Sequence, residues 1–346
     1  RIKHDFAFPH NAIRFCLDHA GVEGEDVDYV VFFEKPFLKF ERLMKTAISG
    51  FPRTYPMFVQ SMRTWLFDKL WVKNTIQQAV GIDKSRILFS EHHISHAASA
   101  FFCSPFEKSS ILTFDGVGEW ATTTMGIGDG SSLKLTHELR FPHSIGLLYS
   151  AFTAFLGFEV NEGEYKVMGM AAYGTPRYVD KIWQIVHRNG DGSLWMDSKY
   201  FSFHYSTNRS YTYRFKKLFG KPRDPTVPFF TDATGYPDYY GRKPRNYVEL
   251  VKYNQHYADI AASIQLVTEE IIIDLVKELH RQNSITDLCM AGGVALNSVA
   301  NGRILRETPI ERLYIQPSAG DGGASLGAAL YAWHCELGNS DRFVMD

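Results

Sequence analysis

The sequence predicts an α/β fold, because hydrophobic segments of two periods alternate along it. Toward the C-terminus the alternation is regular, with a strand over residues 288–291, a helix over 295–305, a strand over 312–315 and a helix over 324–333. Glycine-rich turns join these strands to the helices that follow them. No uninterrupted apolar run reaches the ~18 residues of a membrane helix, since residues 260–279 are broken by Gln265, Glu269, Glu270 and Asp274.

The remaining elements follow in order. Residues 11–20 carry an amphipathic helical pattern and precede the strand-like run Tyr29-Val30-Val31-Phe32-Phe33. Ile87-Leu88-Phe89 leads into Glu91-His92-His93-Ile94-Ser95-His96-Ala97-Ala98-Ser99-Ala100, whose small residues suit a tightly packed helix. From Ser110 three β-type runs, 111–114, 121–126 and 133–139, are separated by Gly116, Gly118 and Asp129-Gly130, which predicts a meander with a glycine-rich first turn. Helical spacing resumes at 145–156. The strongest helical signal lies further on, with Ala261, Ile264, Ile271, Leu275 and Leu279 three, four and seven residues apart.

Between residues 195 and 257 the composition shifts to 17 aromatic residues in 63, with 11 Lys or Arg against 5 Asp or Glu and five of the chain's 14 prolines. The prolines predict an irregular insertion. Its aromatic and basic character suits packing against a neighbouring domain, or else stacking on a nucleotide, an RNA or a sugar.

The whole chain is nearly neutral, with 37 basic and 38 acidic side chains in 346 residues. That balance argues against wholesale electrostatic binding of nucleic acid or an anionic membrane. Cys16, Cys103, Cys289 and Cys335 form no Cys-x-x-Cys pair, which points away from a disulfide framework and toward the cytoplasm. The chain opens at Arg1 without an initiating Met or signal peptide, which predicts a fragment.

Candidate chemistry concentrates in a few places. On a helix, His92 and His96 lie four residues apart on one face, where two imidazoles can converge on one metal ion or serve as core histidines. Asp115 ends an apolar strand before Gly116-Val117-Gly118, where a carboxylate beside backbone amides can serve a metal or a phosphate, or simply make a turn. Asp321-Gly322-Gly323 repeats that logic at a glycine-rich helix entry. Ala291-Gly292-Gly293 to Asn297 again puts glycines between a strand and a helix, although neither the dinucleotide fingerprint nor a P-loop is present. Lys166 lies among small residues and can contact a phosphate or face solvent.

Taken together and in order, Lys3-His4, His92 to Ala100, Asp115 to Glu119, Lys166-Val167-Met168-Gly169-Met170-Ala171-Ala172-Tyr173-Gly174, Ala291 to Asn297 and Asp321 to Gly327 closely resemble the O-carbamoyltransferases of nodulation and antibiotic tailoring. The resemblance covers almost the whole chain and is weakest over residues 195–247. It implies an actin-like ATPase fold of two ribonuclease-H-like halves, here divided as 1–174, an insertion or linker at 175–253, and 254–346. It further implies a carbamoyl group moved from carbamoyl adenylate, made from carbamoyl phosphate and ATP, to an acceptor hydroxyl on a small molecule. By that resemblance His92, His96, Asp115 and Asp321 ligate a metal, iron in this family, with zinc or manganese also suited to the ligand set. Gly116, Lys166, Gly292, Gly293, Asn297 and Gly322 surround the nucleotide, and His4 lies near the carbamoyl group. Family members also carry a β-hairpin with a His-Asp motif ahead of the segment matching Arg1, and an adenylate-forming domain after the segment matching this chain's end. A sugar kinase of the same fold and a non-catalytic nucleotide- or RNA-binding module are the alternatives. The paired histidines count against the first and the near neutrality against the second.

Overall fold

The computed structural model describes residues 7–67 and 69–344. Among them the chain begins with α1 (His10–Ala20), which stops where Gly21 turns left-handed at φ 68° and its N–H caps the last carbonyls. Then come β1 (Val30–Phe32), α2 (Pro36–Ser49) with proline in its first turn, α3 (Tyr55–Phe67) and α4 (Val72–Val80). β2 (Ile87–Phe89) lies parallel to β1 and runs into α5 (His92–Phe101). The meander follows as β3 (Lys108–Phe114), β4 (Ala121–Asp129) and β5 (Ser132–Arg140), antiparallel throughout. α6 (Ile145–Phe155) is started by Ser144, whose hydroxyl accepts from the Leu147 N–H at 3.0 Å.

α7 (Glu164–Ala171), α8 (Val179–Trp183), β6 (Val186–Arg188), β7 (Leu194–Met196) and α9 (Tyr213–Phe219) lead to α10 (Tyr247–Asn283), a single helix of 37 residues. β8 (Asp287–Ala291), α11 (Ser298–Glu307), β9 (Arg312–Ile315) and α12 (Asp321–Tyr331) complete the described order. The helix expected over 295–305 is divided: a short 3-10 turn covers Gly293–Leu296, and the Asn297 side chain then caps α11 by accepting from the Ala300 N–H at 3.1 Å. No helix among the described residues is long and apolar enough to cross a membrane.

The architecture is a mixed α/β fold around a five-stranded sheet of order β5-β4-β3-β8-β9, with β3, β8 and β9 parallel. Because side chains alternate along a strand, β3 and β8 are apolar on both faces. Leu112, Phe114, Leu288 and Met290 point into a core shared with α6 and α10, whereas Ile111, Cys289 and Ala291 pack against the small residues of α5. The sheet is therefore covered on both sides, by α6 and α10 on one face and by α5 with α12 on the other.

This sheet corrects the division expected from sequence. Neither 174/175 nor 253/254 is a structural break, since β3 pairs with β8 and α10 runs uninterrupted through residue 253. Much of the segment 175–253 is irregular as expected, yet it is not peripheral. Phe201, Phe215 and Phe219 are buried in the main core, where Phe215 meets Phe152 at 4.9 Å and Phe219 at 4.6 Å between ring centroids. Packing thus accounts for part of the aromatic composition. Phe215→Ala should accordingly destabilise the protein by about 3–5 kcal/mol, read as a shifted urea midpoint with an unchanged slope. A shift under about 1 kcal/mol would mean the segment is only draped over the core.

Candidate metal centre

α5 is almost wholly buried, and its His92–His96 face points toward the carboxyl ends of the parallel strands. Glu119 holds the start of this helix: its carboxylate accepts from the His92 N–H at 3.1 Å and from the Lys35 N–H at 2.7 Å. The turn between β3 and β4 is pinned as well, because the buried Arg42 guanidinium donates to the Gly118 carbonyl at 2.7 Å. Burial draws the Arg42 pKa down to about 10, while Glu119 and Glu34 hold it cationic. Neither Arg42 nor Glu119 announces this role in the sequence, since a lone Arg on an amphipathic helix and a Glu after a turn are ordinary surface patterns.

Four side chains converge. The Nε2 atoms of His92 and His96 lie 3.1 Å apart. Asp115 Oδ2 stands 3.1 Å from His92 Nε2 and 3.4 Å from His96 Nε2. Asp321 Oδ1, from the first residue of α12, stands 3.6 and 3.5 Å from the same two atoms. Each residue offers a ligand atom within 4.8 Å of all the others. Bonds of about 2.0–2.2 Å to one ion at angles of about 90–110° would require ligand separations of about 2.8–3.6 Å, which spans the histidine–histidine and histidine–carboxylate separations given above. The histidine Nδ1 atoms are buried without partners, so the Nε2 edges are where both rings meet polar groups.

Charge follows from this packing. Burial alone would lower the His96 pKa, but hydrogen bonds to Asp115 and Asp321, and their charges, push it up to about 9. Burial would raise Asp115, yet hydrogen bonds from His92 and His96 hold it well below the usual carboxylate range. His93 points away, bonded through Nδ1 to Thr113 Oγ1 at 2.6 Å, which in turn meets Thr124 Oγ1 at 2.6 Å. Burial first, and then the positive charge of its histidine neighbours, keeps it neutral.

The other sequence-expected residues are placed unequally. Gly293 lies against Asp115, where an added Cβ would sit 3.2 Å from Oδ1, and Gly322 is in the first turn of α12. Their amides donate to no protein acceptor among the described residues, so both face the centre's surroundings as free donors. The Gly116 amide, expected to face a ligand, instead donates to Asp115 Oδ1 at 2.7 Å. Gly292 is likewise structural: its φ is 94°, its N–H donates to the Ala319 carbonyl at 2.7 Å, and a Cβ there would collide with the Phe114 backbone.

Asn297 has its side chain occupied by the α11 cap and by Gln265, with bonds of 2.9 and 3.1 Å. Lys166 is exposed on α7, the helix whose Met168 sulfur accepts from Ser298 at 3.7 Å beside Asn297. His4 lies outside the described residues.

Fold and site together define a mixed α/β protein with a two-histidine, two-aspartate centre at the carboxyl edge of its parallel strands. Residues 1–330 match the model for the carbamoyltransferase N-terminus, and the chain belongs to that family. It is 44% identical over 353 residues to an uncharacterized protein of Synechocystis sp., covering 99% of this chain and 53% of that protein. It is 31% identical over 349 residues to the nodulation protein NolNO of Sinorhizobium fredii, covering 98% of this chain and 44% of that one. The chain thus spans about half the length of these relatives. Among solved structures it is similar to HypF of T. kodakarensis, with a TM-score of 0.38, 14% identity, and coverage of 78% of this chain and 39% of that one.

The raised His96 pKa makes stability pH-dependent in protein stripped of metal by a chelator. The protonated imidazole is held more firmly folded than unfolded, so its contribution is complete below pH 6.5 and disappears as pH climbs through about 9. Denaturant midpoints should fall across that window in the wild type and lose this component in His96→Gln. An identical fall in both proteins would assign it to other groups.

Proposed function

We propose that this chain is the transfer domain of an O-carbamoyltransferase, moving a carbamoyl group from carbamoyl adenylate to the hydroxyl of a small molecule. The observation that carries the reading is the convergence of His92, His96, Asp115 and Asp321, with coordination-like spacing, in a chain of the carbamoyltransferase N-terminal family. In this reading the adenylate arises from carbamoyl phosphate and ATP on an adenylate-forming domain in cis, in the cytoplasm, and neither nucleic acid nor a membrane takes part.

The fold supports it from another direction. Three antiparallel strands followed by two parallel ones, in the order β5-β4-β3-β8-β9, are the arrangement a ribonuclease-H-like sheet would have, and in this reading residues 108–331 would be one half of an actin-like ATPase fold. The shorter β1–β2 pair with its helices, residues 10–101, would then belong to the other half.

In the transfer, the acceptor oxygen bonds to the carbamoyl carbon. The bond from that carbon to the adenylate phosphate breaks, AMP leaves with the bonding electrons, and the hydroxyl proton passes to a base. A divalent ion held by the four side chains, iron foremost and zinc or manganese as the other fits to two nitrogens and two carboxylates, would supply positive charge to the phosphate and leaving group. The chain's own contribution is orientation. The free Gly293 and Gly322 amides would donate to phosphate oxygens, the exposed Lys166 would approach the nucleotide from α7, and His4 would stand near the carbamoyl group. Gly116, Gly292 and Asn297 would act through the backbone and side chains they position rather than by touching the nucleotide.

Elemental analysis of the purified protein should find about one iron or zinc per chain, and a His96→Ala, Asp321→Ala double variant should lose it. In the full-length protein the same variant should lower carbamoyl transfer from carbamoyl phosphate and ATP by at least about 100-fold, as expected when a metal supplies several kcal/mol to the transition state. Wild-type protein without stoichiometric metal, or a variant with undiminished transfer, would refute the metal's part.

A further inference from the structure

Beside the metal centre, on the far side of the Asp115–Gly118 turn, two adjoining cavities of about 140 and 290 Å³ meet at His204. Their walls come from α2, the turn joining it to α3, the start of α6 and the segment after Phe201. Val117 and Leu147 close the inner end. The inner wall is therefore continuous with the centre: Asp115 faces the histidines, and Val117, two residues on, faces the cleft.

The chemistry of the lining is one-sided. Two guanidinium groups, Arg42 inside and Arg53 at the mouth, are present, and among the described residues no carboxylate lines either cavity. Arg42 is balanced by Glu119 and Glu34, but Arg53 is exposed and its side chain has no ion pair or hydrogen bond among the described residues. Its charge is nevertheless felt locally, because burial first and Arg53 second lower the His204 pKa and leave that imidazole neutral at pH 7. His204 Nδ1 is buried without a partner among the described residues. In the outer cavity Phe51 exposes 70% of its surface, and Tyr205 lines the same cavity.

An unpaired cation, a neutral imidazole lacking a partner and exposed aromatic faces each suit one part of a ligand: an anionic group, a hydroxyl and a ring. The combined volume fits a compound of one or two rings. We propose that this cleft is the acceptor-side binding site and that it takes a hydroxylated ring compound bearing an anionic group, such as an acidic sugar. The proposal rests on the carbamoyl-transfer reading above and narrows its acceptor, since two guanidinium groups with no lining carboxylate disfavour cationic amino sugars.

The test uses the full-length protein with p-nitrophenyl β-D-glucuronide and the uncharged p-nitrophenyl β-D-glucoside as probes, their binding measured by calorimetry. The glucuronide should bind at least 10-fold more tightly than the glucoside, and Arg53→Ala should remove that preference while Arg53→Lys restores part of it. Arg53 is exposed, so these variants should fold; unchanged denaturant midpoints check it. His204→Ala should weaken both probes, and His96→Ala, which disrupts only the metal centre, should leave glucuronide binding within twofold of the wild type. Equal affinity for the two probes, no binding of either, or glucuronide binding indifferent to Arg53 would overturn the proposal. Arg53-dependent binding together with no carbamoyl transfer by the wild type would overturn the acceptor role and the transfer reading, while the anion-and-ring site would stand.

Discussion

The close approach of α5 and α12 is the constraint on which the centre depends. Gly327 lies directly on α5, where a Cβ would collide with the Ser95 carbonyl and press on Ser99, and Gly323 is similarly closed in by the Ser318 carbonyl. Ala97, Ala98 and Ala100 on one helix, and Ala324 and Ala328 on the other, are fully buried and small. Two helices can approach this closely only where side chains are nearly absent. That approach brings the first residue of α12, Asp321, to the buried His92–His96 face. Larger residues along the seam would widen the helix spacing and draw a carboxylate away from two imidazoles that cannot follow it, since both are enclosed by the sheet and by the turn that Arg42 holds.

The sheet supplies the second coordinate. β3, β8 and β9 run parallel, so the loops leaving their carboxyl ends gather along one edge. Asp115 follows β3, Gly292 and Gly293 follow β8, and the turn into Asp321 follows β9. Ligand sites in open α/β sheets lie at this edge because side chains and helix N-termini from several loops can converge there without disturbing the packed faces. The Gly292 N–H bond to Ala319 and the contact of Gly292 with the Phe114 backbone tie these three loops to one another. Asp115 and Asp321 are thereby fixed relative to each other as well as to α5.

Local features of this arrangement were legible in the sequence and non-local ones were not. The four-residue spacing of His92 and His96 has meaning on any helix, and the glycine-rich turns after strands mark backbone exposure at a sheet edge. Asp115 and Asp321 were nominated by their turns, but only the family resemblance joined them to the histidines, because spacing carries no information about partners so distant in sequence. The division into halves failed for the same reason: the pairing of Ser110 with Leu288 leaves no local pattern, whereas the aromatic segment between them has a conspicuous composition that invites a boundary. Gly163, Gly169 and the charged residues of α7 obscure helical periodicity, which packing against α10 overrides. Glycine was the most ambiguous letter. Gly292 and Gly327 serve close packing, Gly293 and Gly322 leave amides free, and only the neighbours across space separate the two uses.

Electrostatic balance bears on what these four side chains could hold. Arg42 and Lys39 stand against Glu34 and Glu119, with Lys39 and Glu34 paired at 2.6 Å, and Lys35 pairs with Glu91 at 3.0 Å. Among the described residues these nearby cations are thus matched by other carboxylates. The largely covered Asp115 carboxylate beside two buried imidazoles favours a positive charge at this point, a proton on a histidine or a metal ion, because burying unbalanced charge costs several kcal/mol, whereas the exposed Asp321 is also met by solvent. Protons leave each imidazole committed to one hydrogen at Nε2 and press two positive rings together across 3.1 Å. A divalent cation would cancel both carboxylate charges, accept a lone pair from each neutral ring and replace that repulsion with bonds at nearly the spacing the fold already imposes. An ion at this point would meet all four donors, and the surrounding salt bridges, paired among themselves, would not have to break to admit it.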